Sequence, residues 1–123
     1  MTTPPPRVHH LALRVGDPDR AAAFYRGLGL VETRRIEEGG VLRAVWLRAS
    51  GTVLMLERTL RGGGPAEGSG HVLAFAVEDL AEAEALCHRS AIAIEDRTAS
   101  TLYVRDPDGH RVGLSVFRFD DTP

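Results

Sequence analysis

Two carboxylates near the end of the chain are the first candidates for chemistry. Asp106 and Asp108 stand two residues apart in the stretch Tyr103–Leu114, and paired carboxyl groups are common in general acid–base catalysis. The neighbouring residues offer a structural explanation, because Pro107 sets φ at the first position of a turn and Gly109 tolerates a positive φ. With hydrophobic residues on both sides, the stretch predicts a β-hairpin whose turn accounts for both acids.

The single cysteine and the composition exclude several classes of function. Cys87 lies on the apolar face of a predicted helix, where a thiol is typical of core packing rather than of a nucleophile. A net charge of −2 indicates no basic surface for nucleic acid. No apolar run approaches the roughly 20 residues that span a bilayer. We therefore expect a cytoplasmic protein of one domain, residues 1–123, with no nucleic-acid or membrane partner.

Strand and helix signals follow one another in the same order twice. Alternating hydrophobic residues, a helix start at Asp17-Pro18 and glycine-containing turns predict a β-α-β-β-β unit, and the second half repeats it. The predicted strands cover residues 8–15, 30–36, 41–49, 52–58, 71–77, 91–96, 100–105 and 111–119, and the predicted helices cover residues 18–28 and 79–89. The repeat predicts one module at about 7–58, a glycine-rich linker at 59–70 and a second module at about 71–119.

Each predicted module is an amphipathic four-stranded sheet with a helix on one face. This is an α+β fold of two βαβββ modules, in which the helix covers one side of each sheet and the opposite, concave face lines a cleft. On the first strand, Leu11, Leu13 and Val15 fall on the helix side, which leaves His10 and Arg14 facing the cleft.

The chain resembles the vicinal oxygen chelate superfamily, which includes glyoxalases, bleomycin and fosfomycin resistance proteins and extradiol dioxygenases. The stretches that carry the resemblance are His10–Asp17, Phe24–Leu30 and the late Asp106–Gly109, in this order, and it covers nearly the whole chain. It implies paired βαβββ modules and frequent homodimers. In members that use metal chemistry, it implies a divalent ion held by His, Glu or Gln from the first and last strand of each module.

At the four positions that the family uses for metal ligands, this chain has His10, Met55, Val72 and Gly113. Only the first is a usual ligand, since a thioether suits hard cations poorly and the last two have no donor atom. Two neighbours, Glu57 and His71, could complete a triad with His10 for zinc, nickel, manganese or iron, although His71 is one residue out of register. The resemblance thus favours no metal cofactor, with this rearranged triad as the alternative.

Alternation along the remaining strands predicts the other residues of the cleft. The candidate ligand-binding residues are His10, Arg14, Trp46, Arg48, Met55, Glu57, Tyr103, Ser115 and Phe117. The aromatic side chains suit stacking on a planar or partly apolar molecule, or equally the cover of a dimer interface. The arginines could pair with a ligand carboxylate or phosphate, or form surface salt bridges.

The sequence favours a small-molecule-binding protein of the glyoxalase/bleomycin-resistance type, a homodimer that holds a small organic ligand without a complete metal site. The alternative is a metal-dependent glyoxalase-like lyase or isomerase, or a dioxygenase, with the rearranged centre of His10, Glu57 and His71. A third hypothesis is catalysis without metal, in which His10 or Glu57 acts as a general base.

Overall fold

The structure, a computed structural model, describes residues 3–59, 63–66 and 69–119, so parts of the predicted linker, 60–62 and 67–68, lie outside the described residues. Module one contains β1 (His10–Val15), α1 (Pro18–Gly27), β2 (Val31–Glu38), β3 (Val41–Ala49) and β4 (Thr52–Arg58). Module two contains β5 (Leu73–Ala76), α2 (Leu80–Arg89), β6 (Asp96–Arg97), β7 (Thr101–Arg105) and β8 (Arg111–Ser115). The predicted α+β fold of two βαβββ modules is confirmed. Among the described residues, neither ten-residue helix is long and apolar enough to cross a membrane.

Each module forms its own four-stranded mixed sheet. The strand orders are β1-β4-β3-β2 and β5-β8-β7-β6. In each sheet the first strand runs parallel to the last, while the remaining neighbours are antiparallel and joined by short turns. β1 and β5 are edge strands, so each has one side without a partner strand among the described residues.

The first helix begins and ends at the residues that the sequence indicates. Asp17 caps α1, because its Oδ1 accepts hydrogen bonds from the amide N–H groups of Asp19 and Arg20 at 3.0 and 3.3 Å. Pro18 is the first helical residue, a position that needs no amide donor. Gly29 follows the helix with a φ of 104°, which side-chain-bearing residues rarely adopt.

One hydrophobic cluster contains buried side chains of both modules. Val15 and Leu56 come from the first sheet, and Leu102 and Val112 come from the second. Cys87 is fully buried in the same cluster, which confirms its predicted packing role, and burial raises the pKa of its thiol. Because the modules share this core, each covers apolar surface of the other.

The second module differs from the prediction at three strands, the first of which, β5, covers Leu73–Ala76 rather than residues 71–77. Residues 92–95 form no strand, since Ala91 takes a positive φ of 56° after α2 and only Asp96 and Arg97 pair with β7. The last strand ends at Ser115 rather than at residue 119, because its pairing with β5 and β7 ends there. The second sheet is therefore smaller than the first.

Candidate functional site

The face of the first sheet opposite α1 gathers most of the predicted site residues. We call it the open face of module one, and it consists of His10, Ala12, Arg14, Arg34, Ala44, Trp46, Arg48, Val53, Met55 and Glu57. Directly paired residues lie on the same side of a sheet, so the pairs Trp46–Met55 and Arg48–Val53 fix this alignment. The residue between Trp46 and Arg48, Leu47, is buried on the helix side. Six of the nine predicted ligand-binding residues thus share one surface.

The open face of module one carries more positive than negative charge. It presents Arg14, Arg34 and Arg48 against one carboxylate, Glu57. Within the described part of the chain, none of these three arginines forms an ion pair, whereas Arg35, on the other side of β2, is paired with two carboxylates of module one. Unpaired guanidinium groups on one surface favour contact with anionic groups.

Arg14, a predicted ligand-binding residue, is bound to the linker. Its Nε donates to the carbonyl oxygen of Gly64 at 2.7 Å, and a terminal nitrogen donates to that of Pro65 at 3.3 Å. The amide of Gly64 donates in return to the carbonyl oxygen of Arg14 at 3.0 Å. The guanidinium therefore holds residues 64–65 against β1, and this leaves Arg34 and Arg48 as the cations without a protein acceptor among the described residues of this face.

Trp46 lies in the interior of the open face, between Arg34 and Met55. The guanidinium carbon of Arg34 is 5.3 Å from the centroid of the indole ring, within cation–π range. The indole Nε1–H is buried and has no acceptor among the described residues, which is an uncommon state for a buried donor. Sequence reasoning missed Arg34, because β2 has polar residues on both faces and a register shift after Glu32 interrupts its alternation.

The second sheet also has a face on the side opposite α2. This open face of module two consists of Ala74, Ala76, Thr101, Tyr103, Arg111, Gly113 and Ser115. It includes two predicted residues, Tyr103 and Ser115. The Tyr103 ring centroid is 4.1 Å from the guanidinium carbon of Arg111, and the hydroxyl groups of Ser115 and Thr101 are hydrogen-bonded at 2.8 Å. Phe117 lies beyond the end of β8 and is 58% exposed, so the alternation of side chains along β8 does not extend to it and places it on neither face.

The three residues of the alternative metal triad are not brought together within one chain. His10 and Glu57 lie on adjacent strands but are four positions apart in the parallel register. His71 contacts other residues, with its Nε2 3.4 Å from Nδ1 of His110 and its Nδ1 2.6 Å from Oγ of Ser69. Among residues 3–59, 63–66 and 69–119, no group of three His, Cys, Asp or Glu side chains is placed to hold a metal.

The position at which the family resemblance implies a ligating glutamate is Gly113, which has no donor atom. A Cβ added there would meet Thr101 at 3.4 Å, and Ala74 and Tyr103 at 3.5 Å, which are ordinary packing distances. The missing ligand is therefore a property of the residue type and not of a lack of space. With Met55 at another ligand position, the residues present do not fit a metal centre of three protein ligands.

The Asp-Pro-Asp-Gly turn confirms the hairpin prediction and also joins the two modules. Oδ1 of Asp106 accepts from the amides of Asp108 and His110 at 2.9 Å, and its Oδ2 accepts from the hydroxyl of Tyr25 at 2.7 Å. Burial, together with the charge of Asp106, raises the pKa of the Tyr25 phenol, which therefore remains a donor. Gly109 has the expected positive φ, 92°. Sequence reasoning missed the contact with Tyr25, which is 81 positions away.

Two further contacts hold this turn against the end of β1. Oδ1 of Asp108 accepts from the amide of Gly16 at 2.8 Å. Nε2 of His110 lies 2.9 Å from the carbonyl oxygen of Arg14, which can only accept, so this nitrogen carries a proton. Only 2% of His110 is exposed. These polar contacts fix module two relative to the open face of module one.

Comparisons with known proteins agree with this architecture. The family model described as the Glyoxalase/Bleomycin resistance protein/Dioxygenase superfamily matches residues 7–114. No curated protein matches the chain at a significant level. Among solved structures, the fosfomycin resistance protein FosX from Mesorhizobium loti has a TM-score of 0.77 at 18% identity, covering 92% of this chain and 93% of that one.

Two other solved structures have the same fold. The lactoylglutathione lyase from Agrobacterium tumefaciens has a TM-score of 0.69 at 25% identity, covering 92% of this chain and 95% of that one. TioX from Micromonospora sp. ML1 has a TM-score of 0.66 at 23% identity, covering 89% of this chain and 98% of that one. The match of the family model over most of the chain, together with the two βαβββ modules, shows that this chain belongs to the glyoxalase/bleomycin resistance protein/dioxygenase superfamily, as its resemblance to vicinal oxygen chelate proteins predicts.

Proposed function

We propose that this protein binds a small, planar and partly apolar organic molecule between the open faces of its modules, and that it does so as a cytoplasmic homodimer with one domain per chain. The observation that carries the proposal is the composition of the open face of module one. An aromatic and a thioether side chain, Trp46 and Met55, lie side by side on the sheet face opposite α1, with His10 and Arg48 on the same face. Apolar surface with a few polar groups is typical of small-molecule sites.

Each predicted residue has a role in this proposal. Trp46 and Met55 provide apolar contact, His10 provides a hydrogen bond and Arg48 provides charge. Tyr103 and Ser115 contribute from the second open face. For the remaining candidates, Arg14, Glu57 and Phe117, we propose positions at the rim, because Arg14 is already bound to the linker and Phe117 follows the last strand.

The homodimer rests on unpaired strand edges beside exposed apolar side chains. Within the described parts of the chain, β1 and β5 each lack a partner strand on one side, and Val8, Leu11 and Val72 near their N-terminal ends are 67%, 36% and 39% exposed. A groove of about 840 Å³ extends from the start of β1 to β5. A second copy would cover these edges and side chains, as strand edges in proteins usually are covered, and would place the open face of its module two against the open face of module one.

The binding proposal is tested by titrating planar aromatic compounds against the fluorescence of Trp46, the only tryptophan. We expect saturable quenching by some of them, and at least tenfold weaker binding in Met55→Lys, which places a charge beside the indole. Val41→Lys, at an exposed position on the same sheet but outside the open face, is the matched control. Quenching that never saturates with any compound, or that Met55→Lys does not change, would contradict the proposal.

Metal-dependent catalysis is the second candidate, and one observation favours it: the 25% identity with the lactoylglutathione lyase from Agrobacterium tumefaciens. A metal centre would then need His10 of one chain together with residues of the partner chain, since one chain does not gather three ligands among its described residues. Metal analysis of protein purified without an affinity tag separates the candidates. About one tightly held zinc, nickel, manganese or iron ion per chain, lost in His10→Ala, would establish the second candidate in place of the first.

A further inference from the structure

Two unsatisfied groups meet on the open face of module one. The indole Nε1–H of Trp46 is buried without an acceptor, and Arg34, which pairs with Trp46 across β2 and β3, has no carboxylate partner within the described residues. A buried donor without an acceptor is uncommon, whereas Arg34 is exposed and open to a ligand. Their contact, with the guanidinium carbon 5.3 Å from the indole centroid, places a hydrogen-bond donor and a positive charge at one location.

The neighbouring arginine shows that this arrangement is not a general property of β2. Arg35 donates to Glu32 at 2.8 Å and also pairs with Asp19 of α1, and these contacts raise its pKa. It therefore has a structural role on the helix side of the sheet. Arg34 has no such role, since its only recorded contact is the indole ring. Arg35 thus has a structural role, whereas Arg34, one residue earlier, lies on the open face.

The surroundings of this pair reinforce its positive character. Arg48 lies two residues after Trp46 on the same face, also without an ion pair among the described residues. The carboxylate of the face, Glu57, pairs in register with Ala44 rather than with Trp46, whose partner on β4 is Met55. An anionic oxygen at Trp46 would therefore meet the guanidinium of Arg34 and one N–H donor, with the positive charge of Arg48 on the same face.

We propose, building on the binding function above, that the ligand is an anion whose oxygen atoms are held by Arg34 and by the indole Nε1–H of Trp46. A carboxylate, a phosphate or a phosphonate supplies the same chemistry, an oxygen that is charged and accepts hydrogen bonds. In the free protein Arg34 lies against the ring. On binding, its guanidinium turns toward the anion, and the indole N–H gains the acceptor that it lacks.

The test uses the full-length protein and three probes that share a phenyl ring: benzoate, phenylphosphonate and benzamide, which is neutral and has the same planar shape as benzoate. Because the chain has one tryptophan, the indole N–H gives a single cross-peak in a ¹H–¹⁵N correlation spectrum. We expect benzoate or phenylphosphonate to move this peak downfield with saturation, and to bind at least tenfold more tightly than benzamide at constant ionic strength. The two anions show which headgroup is preferred.

Arg34→Gln should remove the preference for the anion over benzamide, while Arg20→Gln, an exposed arginine on α1 without an ion pair among the described residues, should retain it. Benzamide binding as tightly as the anions, or an unchanged preference in Arg34→Gln, would overturn the proposal and leave the binding function intact. No saturable shift with any of the three probes would count against both.

Discussion

Removing the hydroxyl of Tyr25 should destabilise the whole fold. In Tyr25→Phe the ring still fills its site, but Oδ2 of the buried Asp106 loses the donor that lies 2.7 Å away. The two amides that donate to Oδ1 remain, so one carboxylate oxygen is left unsatisfied. A hydrogen bond to a charged group contributes about 1.5–3 kcal/mol, and we expect a loss of about 2 kcal/mol in the free energy of unfolding.

The assay is urea denaturation followed by Trp46 fluorescence at one protein concentration. The midpoint should fall while the slope stays constant, and Tm should fall by roughly 6–10 °C. Tyr103→Phe is the matched control, because this hydroxyl has no hydrogen bond in the described structure and the ring keeps its contact with Arg111. A Tyr25→Phe protein as stable as the Tyr103→Phe protein would refute the stabilising contribution assigned to this hydrogen bond.

Three further predictions follow from local geometry. Gly113→Ala should change the free energy of unfolding by less than about 1 kcal/mol, since its Cβ meets only near-normal contacts. Gly109→Ala, at a φ of 92°, should lower the free energy of unfolding by about 1 kcal/mol or more. Urea denaturation of the two variants checks both values. The buried thiol of Cys87, whose pKa is raised, should react with Ellman's reagent only as the protein unfolds; rapid reaction in native buffer would contradict its burial. The hydrogen bond and ion pair with Arg35 lower the pKa of Asp19 below its ordinary value of 3.8. These contacts therefore contribute to the free energy of unfolding at a pH above 3.8, and the contribution is lost as the pH falls through the lower pKa of the folded state. The difference in Tm between wild type and Asp19→Asn should therefore disappear in acid, and a difference that grows there would reverse the assigned sign.

The parts of the fold that depend on local chemistry could be predicted from the sequence. Asp17 and Pro18 favour a helix start through local capping and a fixed φ, and Gly109 permits its turn without help from distant residues. Alternation along β3 assigned Trp46 and Arg48 to the correct face, because Val45 and Leu47 mark the buried side without ambiguity. Local rules of this kind identify faces and ends of elements.

The rest depends on contacts that the sequence does not display. Arg34 was missed because the polar residues of β2 mark no buried face and a register shift interrupts the period of two. Nothing in the local sequence marks His110 as buried, and its burial depends on contact with the end of β1, 96 positions earlier. The roles of the candidate ligand-binding residues remain predictions, since strand alternation gives the direction of a side chain and not what it binds.

The link between Tyr25 and Asp106 also bears on how the chain is synthesised. The helix that contains Tyr25 leaves the ribosome early, but the acceptor for its hydroxyl is made 81 residues later. Until then the phenol of Tyr25 has no acceptor, and the first module lacks the core residues that the second module supplies. We therefore expect the two modules to fold together rather than as independent units. Stable structure should then form only after nearly all of the chain has emerged, because contacts between residues far apart in the sequence form slowly.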